Sequence, residues 1–477
     1  MRTIFISTLI SLLFISNCLC AQAYQKNRAI ILTDIENEPD DSESMVRLLL
    51  YSNVIDIKGI IATTSVHMKN VVYPESIKRI IRAYGKVRAN LEKNEAGYPT
   101  AEDLIKLVKQ GLPEYGMQGV GEGKDSHGSE WIIKVLEEND ERPLWICVWG
   151  GPNTLAQALY KIKSTKSRTE AKKLIAKLRV YTISDQDDSG IWIRKNFPDL
   201  FYIVSPGGYG SSTWSGMNQV VTGINNIEIS NKWLVENIQE SHGPLGAQYP
   251  DVAYGMEGDT PSWLNLIPNG LNYHEHPNWG GWGGRYELYE PKYSSLDTAG
   301  YTGGVPVEPE PRAIWTNAVD TYVPYVYNEY GRAVRKDTIS FTGNKVTLWR
   351  WRNDFQNDFA ARIDWCTKTY KEANHPPVPA IKGPDHITVK SGGFFSLVAS
   401  GTTDPDGDNL SYLWFQYLEA GTCKKTVSFV LAENDYRTYV RAPDVNNEET
   451  TQIILKVTDK GKPPLSRYKR IFVKILP

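Results

Sequence analysis

The chain has 477 residues, 41% hydrophobic and 23% charged, a globular composition that excludes bulk disorder and a coiled-coil rod. That length fits two to four domains, and one large core with a small appendage is enough to account for it. A formal net charge of −2 gives no electrostatic basis for a nucleic-acid polymer as partner.

Residues 1–23 read as a secretory signal peptide. Arg2 supplies the positive end, residues 4–15 the apolar run, and Ala21-Gln22-Ala23 a cleavage pattern. The run is short for a membrane span, and no later segment is long and apolar enough to be one. Neither Cys18 nor Cys20 follows a convincing lipoprotein motif, so the expected location is secreted, periplasmic or cell-surface. Cys147, Cys366 and Cys423 remain; their spacing fits neither a disulfide framework nor a zinc site. Cys147 lies in an apolar run and reads as a small core residue.

Residues 28–33 (RAIILT) form an apolar run ending in acid, the pattern of a buried parallel strand with a loop at its carboxyl end. Helical periodicity follows over 42–53, a strand over 55–63 and a helix over 74–84. A strand over 143–149 leads through Gly150-Gly151-Pro152 into a helix over 153–163, with further strands at 178–183 and 200–204. This alternation predicts an α/β fold, a parallel sheet with helices on both faces. Ligands bind such sheets at the carboxyl ends of the strands. Residues 241–304, rich in Gly, Pro, Trp and Tyr, read as long ordered loops, and a helical pattern over 345–366 closes the first domain, assigned to 24–373. A linker at 374–384 precedes short alternating runs over 385–477, the pattern of an Ig-like β-sandwich.

The densest chemical signal is Thr33-Asp34-Ile35-Glu36-Asn37-Glu38-Pro39-Asp40-Asp41. Carboxylates so crowded repel one another unless a cation neutralises them, and hard oxygen ligands suit Ca²⁺ or Mg²⁺. A carboxylate not used in coordination can act as general base on water. The plainer reading is an acidic loop at the N-terminus of the next helix.

At these residues the chain resembles the inosine-uridine nucleoside hydrolase superfamily, whose D-x-D-x-G-x-D-D motif follows its first strand and holds one Ca²⁺. Asp34, Glu36, Asp40 and Asp41 match its four acids. The resemblance implies Asp34, Glu36 and Asp41 as metal ligands and Asp40 as the catalytic base. Glu36 stands where the motif has Asp. Glu38 stands where it has Gly, which puts an extra carboxylate in the metal shell or at the sugar site. Trp149-Gly150-Gly151-Pro152-Asn153-Thr154 is similar to the superfamily's Gly-Pro turn, which implies the Gly150 carbonyl as a ligand. Asp259, within Glu257-Gly258-Asp259-Thr260-Pro261, matches the late calcium ligand. The histidine that accompanies it in the superfamily is missing, and His274 and His276 are the candidates to replace it.

The chain resembles more closely a secreted bacterial family described as cellulose-binding, which joins a nucleoside-hydrolase-like domain to a C-terminal β domain. The stretches that carry this include WGGPNTLAQAL, ISDQDDSGIWIRKNFPDL, HPNWGGWGGRYE and WRNDFQNDFAARIDW. Three further features bear on ligands. Asp185 and Asp187, after a strand, suit sugar hydroxyls or helix capping. Trp279 and Trp282, in a glycine-rich loop, suit sugar stacking or core packing. Asp404-Pro405-Asp406-Gly407-Asp408 reads as a tight turn.

Two functions stand open on this evidence. One is a calcium-dependent glycosyl hydrolase acting on N-glycosyl or related compounds. The other is a non-catalytic protein that binds cellulose or another plant cell-wall polysaccharide. Superfamily enzymes are often oligomers.

Overall fold

The computed structural model describes residues 25–211, 213–327, 333–335 and 339–477. The expected signal peptide, with Cys18 and Cys20, lies outside them. Eight strands form the main sheet: β1 (Asn27–Thr33), β2 (Ile55–Ala62), β3 (Val108–Gln110), β4 (Leu144–Val148), β5 (Leu178–Thr182), β6 (Phe201–Ile203), β7 (Tyr286–Tyr289) and β8 (Ile314–Asn317). Their order is β3-β2-β1-β4-β5-β6-β8-β7. All neighbours pair parallel except β7 with β8.

The sheet is buried on both faces, which is why its strands read as continuous apolar runs. Ala29 and Ile31 pack into one core layer, and Ile30 and Leu32 into the other. Helices α1 (Pro39–Leu49), α2 (Pro74–Asn94), α3 (His127–Glu137), α4 (Asn153–Thr165) and α5 (Ser189–Asn196) alternate with these strands. Helix α1 starts at Pro39, three residues before the periodicity indicates. Proline suits the first helical position because that N–H has no partner within the helix. Asp40 and Asp41 therefore lie in the first turn, facing the positive end of the helix dipole.

From β1 the chain winds outward through β2 to β3. From β4 it winds the other way. The switch point falls between β1 and β4, and at such a point open α/β sheets bind ligands at the carboxyl ends of the strands. The acidic segment follows β1 and the Gly-Gly-Pro turn follows β4, so the topology brings two segments distant in sequence to the same rim of the sheet.

Helix α6 (Arg352–Asp364) lies under the C-terminal all-β domain. That domain has two sheets. One runs β9 (His386–Lys390), β15 (Ser466–Leu476), β14 (Glu449–Asp459) and β11 (Leu410–Gln416); the other runs β10 (Phe394–Val398), β13 (Arg437–Arg441) and β12 (Ser428–Val430). The two domains share a core. Tyr417, Ala420, Ile454 and Tyr468 join the same apolar cluster as Trp282 and Phe355. Arg467 pairs with Asp358 at 2.6 Å and Lys456 with Asp354 at 2.6 Å. Cys147, Cys366 and Cys423 are buried and unbridged. Among the described residues no helix is long and apolar enough to cross a membrane.

Candidate active site

Asp40, Asp41 and Asp259 are buried and each offers an oxygen, all three lying within 4.8 Å of one another. Two oxygens each about 2.4 Å from one hard cation can be no farther apart than this. Asp34 adjoins them at the end of β1, and a Cβ on Gly150 would fall 2.6 Å from Asp34 Oδ1, so only glycine lets the end of β4 pack there. Thr33 Oγ1 donates to Asp41, and Asp41 N donates to Asp40 Oδ1 at 3.0 Å. Asp34 Oδ2 and Asp259 Oδ2 are buried without a hydrogen-bond partner. None of these four aspartates has an ion pair with Lys or Arg among the described residues. Burial first, and then mutual repulsion, pushes Asp40, Asp41 and Asp259 well above the usual carboxylate range. Burial likewise raises Asp34. Glu38 occupies the N-cap position of α1 with no capping bond from its side chain, and burial followed by the Asp34 charge pushes it up to about 7.

Several sequence expectations are corrected. Glu36 does not join the aspartates. Its backbone is left-handed (φ 83°), and its carboxylate points away, 3.0 Å from Arg79. A hydrogen bond with Ser76, and then Arg79, holds it below the usual carboxylate range. Asp185 is locked in a two-bond pair with Arg194, at 2.9 and 2.7 Å, and the same guanidinium binds Glu310. Asp187 accepts from Ser189 N at 2.7 Å, Ser189 Oγ at 2.5 Å and Asn153 N at 3.3 Å, so it fixes the starts of α5 and α4. Both carboxylates therefore have structural partners within the fold.

His274 and His276 lie at the opposite rim of the sheet. His274 meets the edge of Trp145, whose register partner is Ala29 in the amino-terminal half of β1. Its neighbour Glu275 pairs with Arg179 near the start of β5. At about 3.3 Å per residue, the carboxyl rim that carries Asp34 is well over 10 Å away, so neither histidine reaches the aspartates. Trp279 stacks on His276 at 3.8 Å and packs on Phe472 at 4.8 Å. Trp282 is 0% exposed and sits between the domains. Of the two tryptophans, Trp282 packs in the core, while Trp279 is only partly buried. The turn at residues 404–408 is closed by Asp404 Oδ1 accepting from Asp406 N and Asp408 N.

Other residues at the site left little trace in the sequence. Trp214 donates from its indole nitrogen to Asp40 Oδ2 at 3.1 Å and packs against Gly258, where any side chain would collide with it. Beside it Tyr209 bonds His67 at 3.2 Å and meets Tyr301 edge-on. Beneath the aspartates, Arg47 pairs with Glu257 at 2.9 Å, both fully buried, and Glu257 N donates to Glu43 Oε2 at 2.8 Å. Glu43 and Arg47 stand four apart on α1, a helical-pair spacing visible in the sequence, but nothing local signals their burial.

Burial, and then the Glu257 charge, pushes Glu43 up to about 9. A carboxyl raised in the folded state favours folding fully below its unfolded pKa and loses that contribution as pH rises toward the folded value. With chelator present, Glu43→Gln is therefore expected to melt close to wild type at pH 4.5 and above it by pH 8. The gap should grow by at most about 1.4 kcal/mol per pH unit. Parallel melting curves that keep a constant gap would show that Glu43 is ionised in the fold.

A parallel α/β sheet with buried carboxylates at its switch point, joined to an all-β domain, defines a nucleoside-hydrolase-like protein. Residues 28–286 match the nucleoside hydrolase-like domain of cellulose-binding Sde182, and residues 394–475 match the C-terminal domain of cellulose-binding protein Sde0182. The chain belongs to this family. It is similar, at 33% identity and a TM-score of 0.77, to a nucleoside hydrolase-related hypothetical protein from Saccharophagus degradans associated with carbohydrate metabolism. That match covers 94% of this chain and 100% of the other. Two weaker matches are the PKD domain of the KIAA 1837 protein (18% identity, 20% of this chain and 86% of that one, TM-score 0.16) and the type III effector XopQ complexed with adenosine diphosphate ribose (12%, 51% and 82%, TM-score 0.26). No curated protein matches the chain.

Proposed function

We propose that the protein is a secreted, calcium-dependent glycosyl hydrolase of nucleoside-hydrolase type that acts on carbohydrate. The observation that carries this reading is the group Asp40, Asp41 and Asp259, buried, mutually repelling and without a cationic side chain. An all-carboxylate donor set suits a hard cation, and the unpartnered oxygens of Asp34 and Asp259 are what such an ion would satisfy. Asp34, Asp41 and Asp259 would hold it, with Gly150 at the edge of the cage. When bound, calcium supplies charge neutralisation and makes water a better nucleophile. Asp40 takes the proton from the attacking water. It is kept ready for that role by its place in the first turn of α1 and by the Trp214 indole, which orients one oxygen. The buried surroundings exclude bulk water from the reacting bond.

The test is release of aryl alcohol from a chromogenic ribofuranoside and a chromogenic cellobioside, with and without calcium. Asp40→Asn is expected to lower kcat/KM by about 10²–10⁴, the usual contribution of a general base. Equal activity in wild type and Asp40→Asn would remove Asp40 from the chemistry.

One observation favours the second reading, a non-catalytic polysaccharide-binding protein. The Trp214 indole already occupies one Asp40 oxygen, which a base must keep free for water. Retention on insoluble cellulose, with no turnover of either glycoside by wild type or Trp214→Ala, would decide for binding.

A further inference from the structure

Three side-chain oxygens gather where the linker enters the all-β domain, and the proposed chemistry uses none of them. They are Asn374 Oδ1, Asp404 Oδ2 and Asp459 Oδ2, each buried and each without a hydrogen-bond partner. Asn374 is 6% exposed and Asp459 0%. Contacts between three segments bring these residues to one place. The turn at residues 404–408 leads into β11, whose first residue, Leu410, lies opposite Asp459 at the end of β14. His375 N donates to Asp406 Oδ2 at 2.7 Å, which fastens the linker to that turn. Asn374 Nδ2 donates to Asp459 Oδ1 at 3.2 Å and to the Pro463 carbonyl at 2.7 Å.

The other bonds of these side chains hold them in place and fix what the bare atoms are. Asp404 Oδ1 accepts from Asp406 N at 2.9 Å and Asp408 N at 3.0 Å. Asp459 Oδ1 also accepts from Gly461 N at 3.0 Å and Leu465 N at 2.9 Å. The Asn374 nitrogen faces two acceptors, so the bare atom of its amide is the oxygen. A Cβ on Gly461 would fall 2.2 Å from that nitrogen, so the amide is clamped. All three bare atoms are therefore acceptors. Among the described residues neither Asp404 nor Asp459 has an ion pair with Lys, Arg or His. Burial pushes Asp459 up to about 6, and the Asp404 charge adds to the rise.

A buried acceptor without a partner is costly. Acceptors alone, two of them on carboxylates, call for a cation, and oxygen ligands suit a hard one. Calcium sits about 2.3–2.6 Å from its oxygens, nearer than a water hydrogen-bonded at about 2.7–2.8 Å. Oxygens sealed from water are thus still within reach of an ion held among them. We propose that Asn374, Asp404 and Asp459 form a second calcium site, separate from the carboxylate cage, that fastens the interdomain linker to the all-β domain. Trp365 Nε1 donates to the Asn374 carbonyl at 3.0 Å, so the ion couples the end of the first domain to two loops of the second. Two carboxylates and one amide leave much of the shell to water, which puts the dissociation constant at about 10⁻³ M, as in weak extracellular modules. An ion near its own Kd adds little to stability, so occupancy reads this site and melting does not.

The experiment is titration of Asp41→Asn with Tb³⁺, a hard cation that takes the same oxygens, with emission excited through tryptophan. Trp365 lies beside the site as sensitiser. The cage has already lost a ligand in this parent, so the result does not depend on it. One ion is expected to bind and to be displaced by millimolar calcium. Adding Asp404→Asn or Asp459→Asn is expected to weaken that binding at least tenfold. Their melting temperatures in EDTA should stay at or above that of the parent, because an amide oxygen keeps the accepted bonds and the repulsion is removed. Absence of sensitised emission from the parent overturns the proposal. So does equal binding by either added variant. Weakened binding with a lowered melting temperature in both also overturns it, because the carboxylates then serve the fold alone.

Discussion

Calcium is expected to raise the melting temperature of the wild-type protein by several degrees and to leave that of Asp41→Asn unchanged. Asp41 lies in the middle of the acidic group. Burial raises it, Asp34, Asp40 and Glu38 repel it, and the Thr33 hydroxyl is its compensating hydrogen bond. Without a cation, folding must bring these charges together or bind protons to remove them. A cation bound only to the folded state stabilises it by about 2.7 kcal/mol at a hundred times Kd and about 4.1 kcal/mol at a thousand times. Asparagine removes one charge and keeps the shape. In EDTA, Asp41→Asn should therefore melt at or above wild type, because the repulsion is weaker. In millimolar calcium the order should reverse. Differential scanning calorimetry in the two buffers reads both signs. A wild-type melting temperature that does not respond to calcium or magnesium would mean that the cage is neutralised by protons, and the hydrolase reading would lose its main support.

Trp282→Ala is expected to destabilise the whole chain by about 3–5 kcal/mol, the usual loss for a large buried aromatic. The indole is fully buried, meets Phe355 and Tyr468 edge-on and donates to Tyr468 Oη at 3.4 Å. The loop around it is held from the other domain, where Arg470 donates to the carbonyls of Leu271 at 2.6 Å, Trp279 at 3.1 Å and Gly280 at 2.8 Å. Emptying the Trp282 site therefore opens a cavity between the domains as well as within one. Denaturant unfolding followed by fluorescence measures the loss. At temperatures where the variant is folded, its retention on cellulose should equal that of wild type. A variant as stable as wild type but unable to bind cellulose would restore the stacking role that the packing removes.

The position of the site was legible because its signals are local. An apolar run ending in Asp34, with proline ahead of Asp40 and Asp41, specifies a buried strand, a turn and a helix start within a few residues. Gly150-Gly151-Pro152 after β4 is the same kind of signal, and a parallel sheet brings such strand ends to one rim. The errors came where a side chain had two plausible environments. Glu36 fits the motif by position, yet one left-handed residue and the distant Arg79 turn it outward. His274 and His276 follow Asp259 closely in sequence, but His274 sits against Trp145 and Glu275 against Arg179, toward the other rim. Glycines around Trp279 and Trp282 are as compatible with tight packing as with an open platform.

The sequence by itself determined the α/β class, the order of the main elements, the family and the segments that deliver acid to the strand ends. Each of these follows from residues close together in the chain. The tertiary structure alone decided which carboxylates converge, that Trp214 covers Asp40, that Glu43, Arg47 and Glu257 support the site from below, and that bare oxygens gather where the second domain docks. Burial, ion pairing and the dielectric around a carboxylate are set by neighbours contributed from distant segments, and a local pattern of residues carries no record of which those will be.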